Sequence, residues 1–575
     1  MPSKRVYGLL VAALVLAALA AVLYLNPKPV PATEGEADAV TESGRVAEPP
    51  EPEPAESGRV AAPPEPEPEA EPYIRSAGPP TLAYPELLEL LNDPVGEPLA
   101  AKLGALLNTP FVSNEAYYRG ARPHKPELDA LGPSLRVVAW NIERGLEFDN
   151  IKLMFTSPTG FDQQVGRGKQ QVDRALLEKE LAVLRTADVL VLNEADWGLK
   201  RTAYRHVTRE LAEALDMNWA YGVEFVEIDP INLGTETFEL IDDASERSQL
   251  VNLIQVDRGR LRGLHGTAVL SRYPILEARL EPFEFQGYDW YGEEKSRVSN
   301  VEKGKRKLAE IAFQETIGRE IRRGGRTTLY VTIDVPDLAE GKATIAAAHL
   351  ESRTKPENRR KQMEELLESS RGVDHPLILA GDLNTTLSDQ QPTSLKREVY
   401  RRLGSKQFWA NTGIKYATGV GLLYDVAKGS VNFFKNQHDP TAKNIPIVAP
   451  NPEAKLFEVM EKFRFQNGTV FDFRGDAGRT INGTAGTLAN SNQRGGKGFA
   501  TTFEVERTVG PLGQYKLDWI FVGSYLESPS SGGGPYRFAP HFARTMEQTN
   551  YALPDPLSDH HPVSVDLPFG EPNSL

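Results

Sequence analysis

The sequence predicts an α/β domain whose sheet faces are covered by helices. Three observations predict it. Apolar runs of strand length recur along the chain: Leu135–Trp140, Val189–Leu192, Ala268–Leu270, Leu329–Ile333, Thr344–Ala348, Leu377–Ala380, Leu517–Val522 and Val563–Leu567. Amphipathic helical stretches, Gln170–Arg185 and Glu357–Ser370, alternate with some of them. The runs are continuous rather than alternating, as in strands buried on both faces. Hydrophobic residues at 40% and charged residues at 25% are ordinary for a folded soluble domain.

The chain has 575 residues, and the part before the first run is built differently. Tyr7 to Leu25 is an unbroken apolar run preceded by Lys4 and Arg5. A run of roughly 20 residues spans a bilayer core, and flanking positive charge keeps the N-terminus in the cytoplasm. Residues 1–26 are therefore expected to be a signal anchor that leaves the remainder outside the cytoplasm, periplasmic or extracellular. Secretion after signal cleavage is the alternative, but no small-x-small site follows the run. Residues 27–72 are rich in Pro, Glu and Ala, with tandem copies at 42–55 (ESGRVAEPPEPEPA) and 56–69 (ESGRVAAPPEPEPE). With little to bury and mutually repelling charge, this segment is expected to be a disordered spacer. Residues 73–131 read as a helical extension. Residues 132–570 read as the main domain, interrupted by insertions near 222–263 and 389–512.

A formal net charge of −14 argues against a broad basic surface for nucleic acid. The absence of cysteine excludes disulfides, thiol catalysis and zinc–thiolate sites.

The chemistry lies at the strand ends. Leu135–Trp140 runs into Asn141. Asp188–Leu192 ends in Asn193 and Glu194, and Ile345–Ala348 ends in His349. Leu377–Ala380 leads to Gly381, Asp382, Leu383 and Asn384. Asp518 opens the run to Val522, and Ser558-Asp559-His560-His561-Pro562 precedes the last run. One such residue is commonly a turn former or a helix cap. Together they form a set of oxygen donors suited to Mg²⁺ or Mn²⁺, with histidines beside them to donate hydrogen bonds or move protons. Metal-assisted phosphate hydrolysis needs these residue types.

These blocks, with Gly266 to Pro274 and Ala348-His349-Leu350-Glu351-Ser352, resemble the endonuclease/exonuclease/phosphatase superfamily over roughly residues 135–567. The resemblance implies the DNase I-like fold, a four-layer α+β arrangement of a two-sheet β-sandwich flanked by helices, with the site where the sheets meet. It implies a metal end at Asn141 and Glu194, with Asp559 contributing, and Mg²⁺ (or Mn²⁺) as cofactor. It makes Asp382 the carboxylate that orients or deprotonates water, and Asn384 a holder of a phosphate oxygen. His560 would bond the scissile phosphate with Asp518 fixing its ring. His349 would protonate the leaving group, as in the nuclease and sphingomyelinase branches.

Other residues receive structural readings: Glu143, His265, His561 (facing away from His560 on a strand), and Arg353, Arg359 and Arg360 as surface charge. The expected activity is hydrolysis of phosphate esters, foremost by a phosphodiesterase or nuclease. A lipid or sugar-phosphate esterase, of sphingomyelinase or inositol-phosphatase type, is the alternative, and an inactive surface binding module the second. A nuclease would use a groove lined by the basic stretch Lys303, Lys305, Arg306, Lys307, Arg319, Arg322, Arg323 and Arg326. A lipid or sugar-phosphate enzyme would use the aromatic segment Phe283–Tyr291. The expected partners are the phosphate-ester substrate and the membrane through the anchor; no protein partner is indicated.

Overall fold

The computed structural model describes residues 71–165, 172–230, 233–235, 255–295, 320–385, 444–445, 449–473, 501–509, 512–523 and 537–570. The expected anchor (1–26) and spacer (27–72, except its last two residues) lie outside these. Among the described residues no helix is long and apolar enough to cross a membrane.

Two sheets form the centre. In chain order their strands are β1 (Ser76–Ala77), β2 (Phe111–Ser113), β3 (Gly132–Asn141), β4 (Val189–Trp197), β5 (Asn218–Glu227), β6 (Leu264–Ser271) and β7 (Ile275–Pro282). There follow β8 (Arg322–Gly324), β9 (Thr327–Asp334), β10 (Lys342–His349), β11 (Leu377–Asp382), β12 (Asp518–Gly523), β13 (His541–Thr545) and β14 (Val563–Pro568). The larger sheet runs β1–β2–β5–β6–β4–β3–β14–β13, with β8 pairing with β5; the smaller runs β12–β11–β10–β9–β7.

Strand alternation sorts the apolar runs into inner and outer faces. Leu135, Val137, Ala139, Val189 and Val191 of the larger sheet pack against Val331, Ile345, Ala347, Ile378, Ala380 and Ile520 of the smaller. Their neighbours point outward. Val138, Trp140, Leu190 and Leu192 meet Leu177, Leu181, Leu184, Val207 and Leu211. Those five come from helices α1 (Arg174–Arg185) and α2 (Val207–Leu215). On the other side Tyr330, Ala346, Leu379, Trp519 and Phe521 meet Met363, Leu366, Leu367, Phe457 and Met460. These come from α3 (Pro356–Ser370) and α4 (Ala454–Lys462). The result is helix, sheet, sheet, helix, and it explains why the strand runs are apolar throughout. Asp173 starts α1 by accepting the Leu176 N–H at 3.1 Å, and Pro356 stands in the first turn of α3.

Three sequence expectations need correction. The 73–131 extension contains Glu97–Asn108 as a helix, but it also supplies β1 and β2, which extend the larger sheet beyond β5. Residues 222–227 are no insertion; they complete β5, whose Glu224 and Glu227 disguise a buried strand. Within 389–512, α4 packs into the core beneath the smaller sheet, and Phe503–Val509 forms a strand that reaches the site.

Candidate active site

The smaller sheet sets three polar side chains in a row. Parallel pairing of β10 with β11 puts His349 opposite Asp382, and antiparallel pairing of β11 with β12 puts Asp382 opposite Asp518. Asp382 is fixed on every side. Its N–H donates to Asn193 Oδ1 at 2.8 Å, and its Oδ1 accepts the Asn384 N–H at 2.8 Å. Its Oδ2 accepts from Asn141 Nδ2 at 3.1 Å. The Nε2 atoms of His349 and His560 both stand 3.7 Å from that same oxygen. Burial pushes the Asp382 carboxyl up, while His560 acts against it. The glycine before Asp382 is required: at φ +137°, a Cβ on Gly381 would lie 2.1 Å from the Ala348 carbonyl oxygen. Asn384, left-handed at φ 47°, donates from Nδ2 to the Leu350 carbonyl at 3.0 Å. Part of its amide is thus engaged within the fold.

The larger sheet reaches the same place by bulges. On β4, Leu192 pairs with Ala268 of β6 but Ala195 pairs with Gly266, so Asn193 and Glu194 together oppose Thr267. On β5, Val223 pairs with Gly266 and Phe225 with His265, leaving Glu224 as the extra residue. Bulges re-aim side chains, and these two flank the same stretch of β6. Glu194 takes a left-handed φ of 57°. Burial raises its carboxyl, but the positive charge around it, Arg144 and Arg326 included, outweighs burial and holds it below the usual carboxylate range. Asn141 ends β3 beside Asn193.

Near Glu194 lie two further carboxylates. Glu143 Oε2 accepts the Asp559 N–H at 3.0 Å. Burial, then the charges of Asp559 and Glu194, push Glu143 up to about 8. Burial pushes Asp559 up to about 6, with Glu194 and Asp382 adding to it and His560 opposing. Glu143, read from sequence as structural, therefore belongs to the site. It opens a turn in which Glu143, Arg144 and Gly145 all have positive φ (48°, 65° and 77°). Its signal was its position two residues after Asn141. Burial and then mutual repulsion raise Glu143 and Asp559, and carboxylates clustered in this way fit a divalent cation with oxygen ligands. Glu194, Asp559 and Glu143 are the residues that would hold it. Asn141 links the two groups: Oδ1 accepts the Glu143 N–H at 3.1 Å while Nδ2 holds Asp382.

His560 is held by Asp518, whose Oδ2 lies 2.8 Å from Nδ1. Burial opposes charge on this ring, but Asp518, Asp382 and Asp559 overcome it and raise His560 well above the ordinary histidine range. Asp382, Asp518 and His560 also bring potential ligand atoms within 4.8 Å of one another. The short His560–Asp518 hydrogen bond already accounts for two of them, so the three read as a proton-handling group. The backbone of His560 is clamped: its carbonyl accepts from Trp140 Nε1 at 3.0 Å, and its N–H donates to Ser558 Oγ at 3.0 Å. The Phe503 ring covers the imidazole at 4.8 Å. His561 is buried against Tyr551, and burial holds it down at about 3. His265 is bonded to Asp196 at 2.9 Å.

The arginines expected at the surface divide. Arg353 is buried, pairs with Glu294 and Glu320, and stacks 4.0 Å from the Trp290 ring; Arg359 is buried against Glu453. Only Arg360 behaves as surface charge, paired with Glu357 and Glu364. The described part of the expected basic wall is closed, whereas the aromatic one keeps Phe285 and Tyr288 half-buried. Arg322 and Arg326 are buried in ion pairs, and Arg323 packs on Tyr291 and donates to the Leu90 carbonyl. Phe283, Trp290 and Tyr291 are buried. Residues 303, 305, 306, 307 and 319 lie outside the described residues.

A two-sheet α/β sandwich thus carries carboxylates at one side of the sheet junction and an Asp–His pair at the other, the residue types that metal-assisted hydrolysis uses. Residues 138–560 match the Endonuclease/Exonuclease/phosphatase family, and the chain belongs to it. Among solved structures it is similar to an endonuclease/exonuclease/phosphatase from Beutenbergia cavernae DSM 12333, at 18% identity over 76% of this chain and 72% of that one, TM-score 0.29. It is also similar to D. rerio TDP2 complexed with single-strand DNA product, at 14% identity over 75% and 98%, TM-score 0.30. A third similar structure is the human Nocturnin catalytic domain with bound sulfate anion, at 13% over 75% and 93%, TM-score 0.28. No curated protein matches the chain.

Proposed function

We propose that the chain is a Mg²⁺- or Mn²⁺-dependent phosphodiesterase, a nuclease foremost, acting outside the cytoplasm. The observation that supports the chemistry is the convergence on Asp382 Oδ2. Asn141 holds that oxygen, and two histidine Nε2 atoms flank it at 3.7 Å each. Glu194, Asp559 and Glu143 would hold the divalent cation, which when bound would supply Lewis-acid polarisation of a phosphoryl oxygen. Asp382 accepts a proton from the attacking water. Its burial favours the proton, which suits a base. His560, kept protonated by Asp518, donates from Nε2 to a non-bridging phosphate oxygen as charge builds there. His349 Nε2–H stabilises the departing oxygen. Asn384 orients water or phosphate from the turn after Asp382.

The described walls do not separate nucleic acid from lipid or sugar phosphates, so the phosphodiester reading rests on the site chemistry alone. The test is hydrolysis by the full-length chain of plasmid and linear DNA, RNA, sphingomyelin, inositol phosphates and a chromogenic phosphodiester, with Mg²⁺, Mn²⁺ or chelator. Cleavage of nucleic acid that chelator abolishes is expected. Turnover of only the lipid or the inositol phosphates would move the chain to the alternative class. Silence throughout, with the protein folded, would favour a binding module. The location rests on the Tyr7–Leu25 run; protease added to cells whose outer envelope is opened but whose inner membrane is sealed should digest the domain if it lies outside the cytoplasm.

A further inference from the structure

The two histidines that face Asp382 are held in opposite ways. His560 presents Nδ1 to the carboxylate of Asp518. His349 presents Nδ1 to a cation: Arg326 Nη1 lies 2.6 Å from it. The same Nη1 lies 2.6 Å from Glu224 Oε2, and the Glu224 carboxylate is itself 3.4 Å from the ring nitrogen. Arg326 and Glu224 are both buried.

A guanidinium has only donors and keeps its proton in proteins. Its Nη1 carries two hydrogens, enough for Glu224 and His349 together. The lone pair at 2.6 Å must therefore belong to the imidazole. A proton on His349 Nδ1 would face an Arg N–H head-on at that distance, so the acidic neighbour Glu224 does not draw one there. The ring's proton then sits on Nε2, the atom aimed at Asp382. The charged groups around the ring are Glu224 on β5, Arg326 before β9, Asp382 on β11 and, at longer range, Glu194 on β4.

We propose that Arg326 is a positioning residue that holds His349 as a neutral Nε2–H tautomer, making it a fixed hydrogen-bond donor to the leaving oxygen rather than a second imidazolium. This rests on the phosphoesterase reading. It divides the labour of the two histidines: His560 carries charge toward the phosphate, and His349 gives direction without charge. Glu224 anchors Arg326, with Glu351 at 3.6 Å from its Nε.

The test uses the full chain labelled with ¹⁵N in histidine rings, the His349 signals being identified by their loss in His349→Gln. At neutral pH the spectrum should show a bare Nδ1 and a protonated Nε2. A protonated Nδ1 overturns the proposal. In Arg326→Met, Glu224 faces Nδ1 directly and should draw a proton there, with kcat falling about 10- to 100-fold and KM little changed. Arg326→Lys retains a donor and should keep both the tautomer and most of kcat. Equal losses in the Lys and Met variants with an unchanged tautomer would mean a merely structural arginine, against the proposal. Should the Met variant not fold, the wild-type and Lys spectra decide. Should no phosphate ester be hydrolysed, the functional reading fails separately, and the tautomer is still read directly.

Discussion

The two sheets deliver polar groups to one place by different means. The smaller sheet uses strand ends: His349, Asp382 and Asp518 stand side by side where regular β10, β11 and β12 stop or start. The larger sheet uses interruptions: Glu194 and Glu224 sit in bulges on the two strands flanking β6. A strand end needs only a chain that stops being apolar. A bulge needs its neighbour to permit it, and here Gly266 does: a Cβ there would lie 2.0 Å from the Gly222 carbonyl oxygen. Groups at strand ends should therefore be replaceable without harming the fold, whereas bulge groups depend on a glycine with no chemistry of its own.

Four substitutions test that contrast. Asp382→Asn or His560→Ala, both on the strand-end side, should lower kcat by about 10³-fold or more, a barrier increase of about 4 kcal/mol. Their circular dichroism and melting should stay close to wild type; near-normal turnover in either would sink the assignment. Gly266→Ala should do the reverse of a clean catalytic lesion. The clash with backbone is expected to destabilise the fold by on the order of 3 kcal/mol in denaturant titration, and to weaken activity as both bulges shift. Glu194→Gln should raise the Mg²⁺ or Mn²⁺ concentration needed for half-maximal activity by about 10- to 100-fold. An unchanged metal requirement would remove Glu194 from the metal end.

A further effect lies away from the chemistry. His206 stacks on Trp197 at 3.9 Å, and burial holds it at about 3, below its free value of 6.5. The unfolded chain takes up this proton first, so the associated stability is complete above about pH 6.5 and falls as pH drops from there toward 3. The slope from this group is at most about 1.4 kcal/mol per pH unit. His206→Asn keeps an N-cap acceptor for α2 and should flatten that slope. A slope identical to wild type would show that other groups set the acid sensitivity.

The same contrast explains what was legible in the sequence. Asn141, Glu194, His349, Asp382, Asn384, Asp518, Asp559 and His560 each lie at or beside an apolar run, and the structure gathers all of them. The layers follow from continuous apolar strands and amphipathic helices. Glu224 was hidden because it lies between Val223 and Phe225 inside a strand; its bulge depends on pairing with β6, which no local pattern reveals. Arg326 was visible only as one of many positive charges, since its burial follows from Glu224. Glu143 sat close to Asn141, but its turn of positive φ values cannot be read from residue types when two of the three are not glycine. The β7 strand escaped notice because it is an edge strand with exposed Leu276 and Glu277.

Asn193 carries no chemistry, yet its side chain belongs to both halves of the sandwich. From β4 it accepts the Asp382 N–H at 2.8 Å and donates to the Ala348 carbonyl at 3.2 Å, while also donating to Thr267 Oγ1 at 3.1 Å. One buried amide thus acts as a gauge block between two slabs whose inner faces are largely hydrocarbon, which is tolerant of sliding. Apolar packing sets how far apart the slabs lie; this amide sets their alignment at the edge where the reaction would occur.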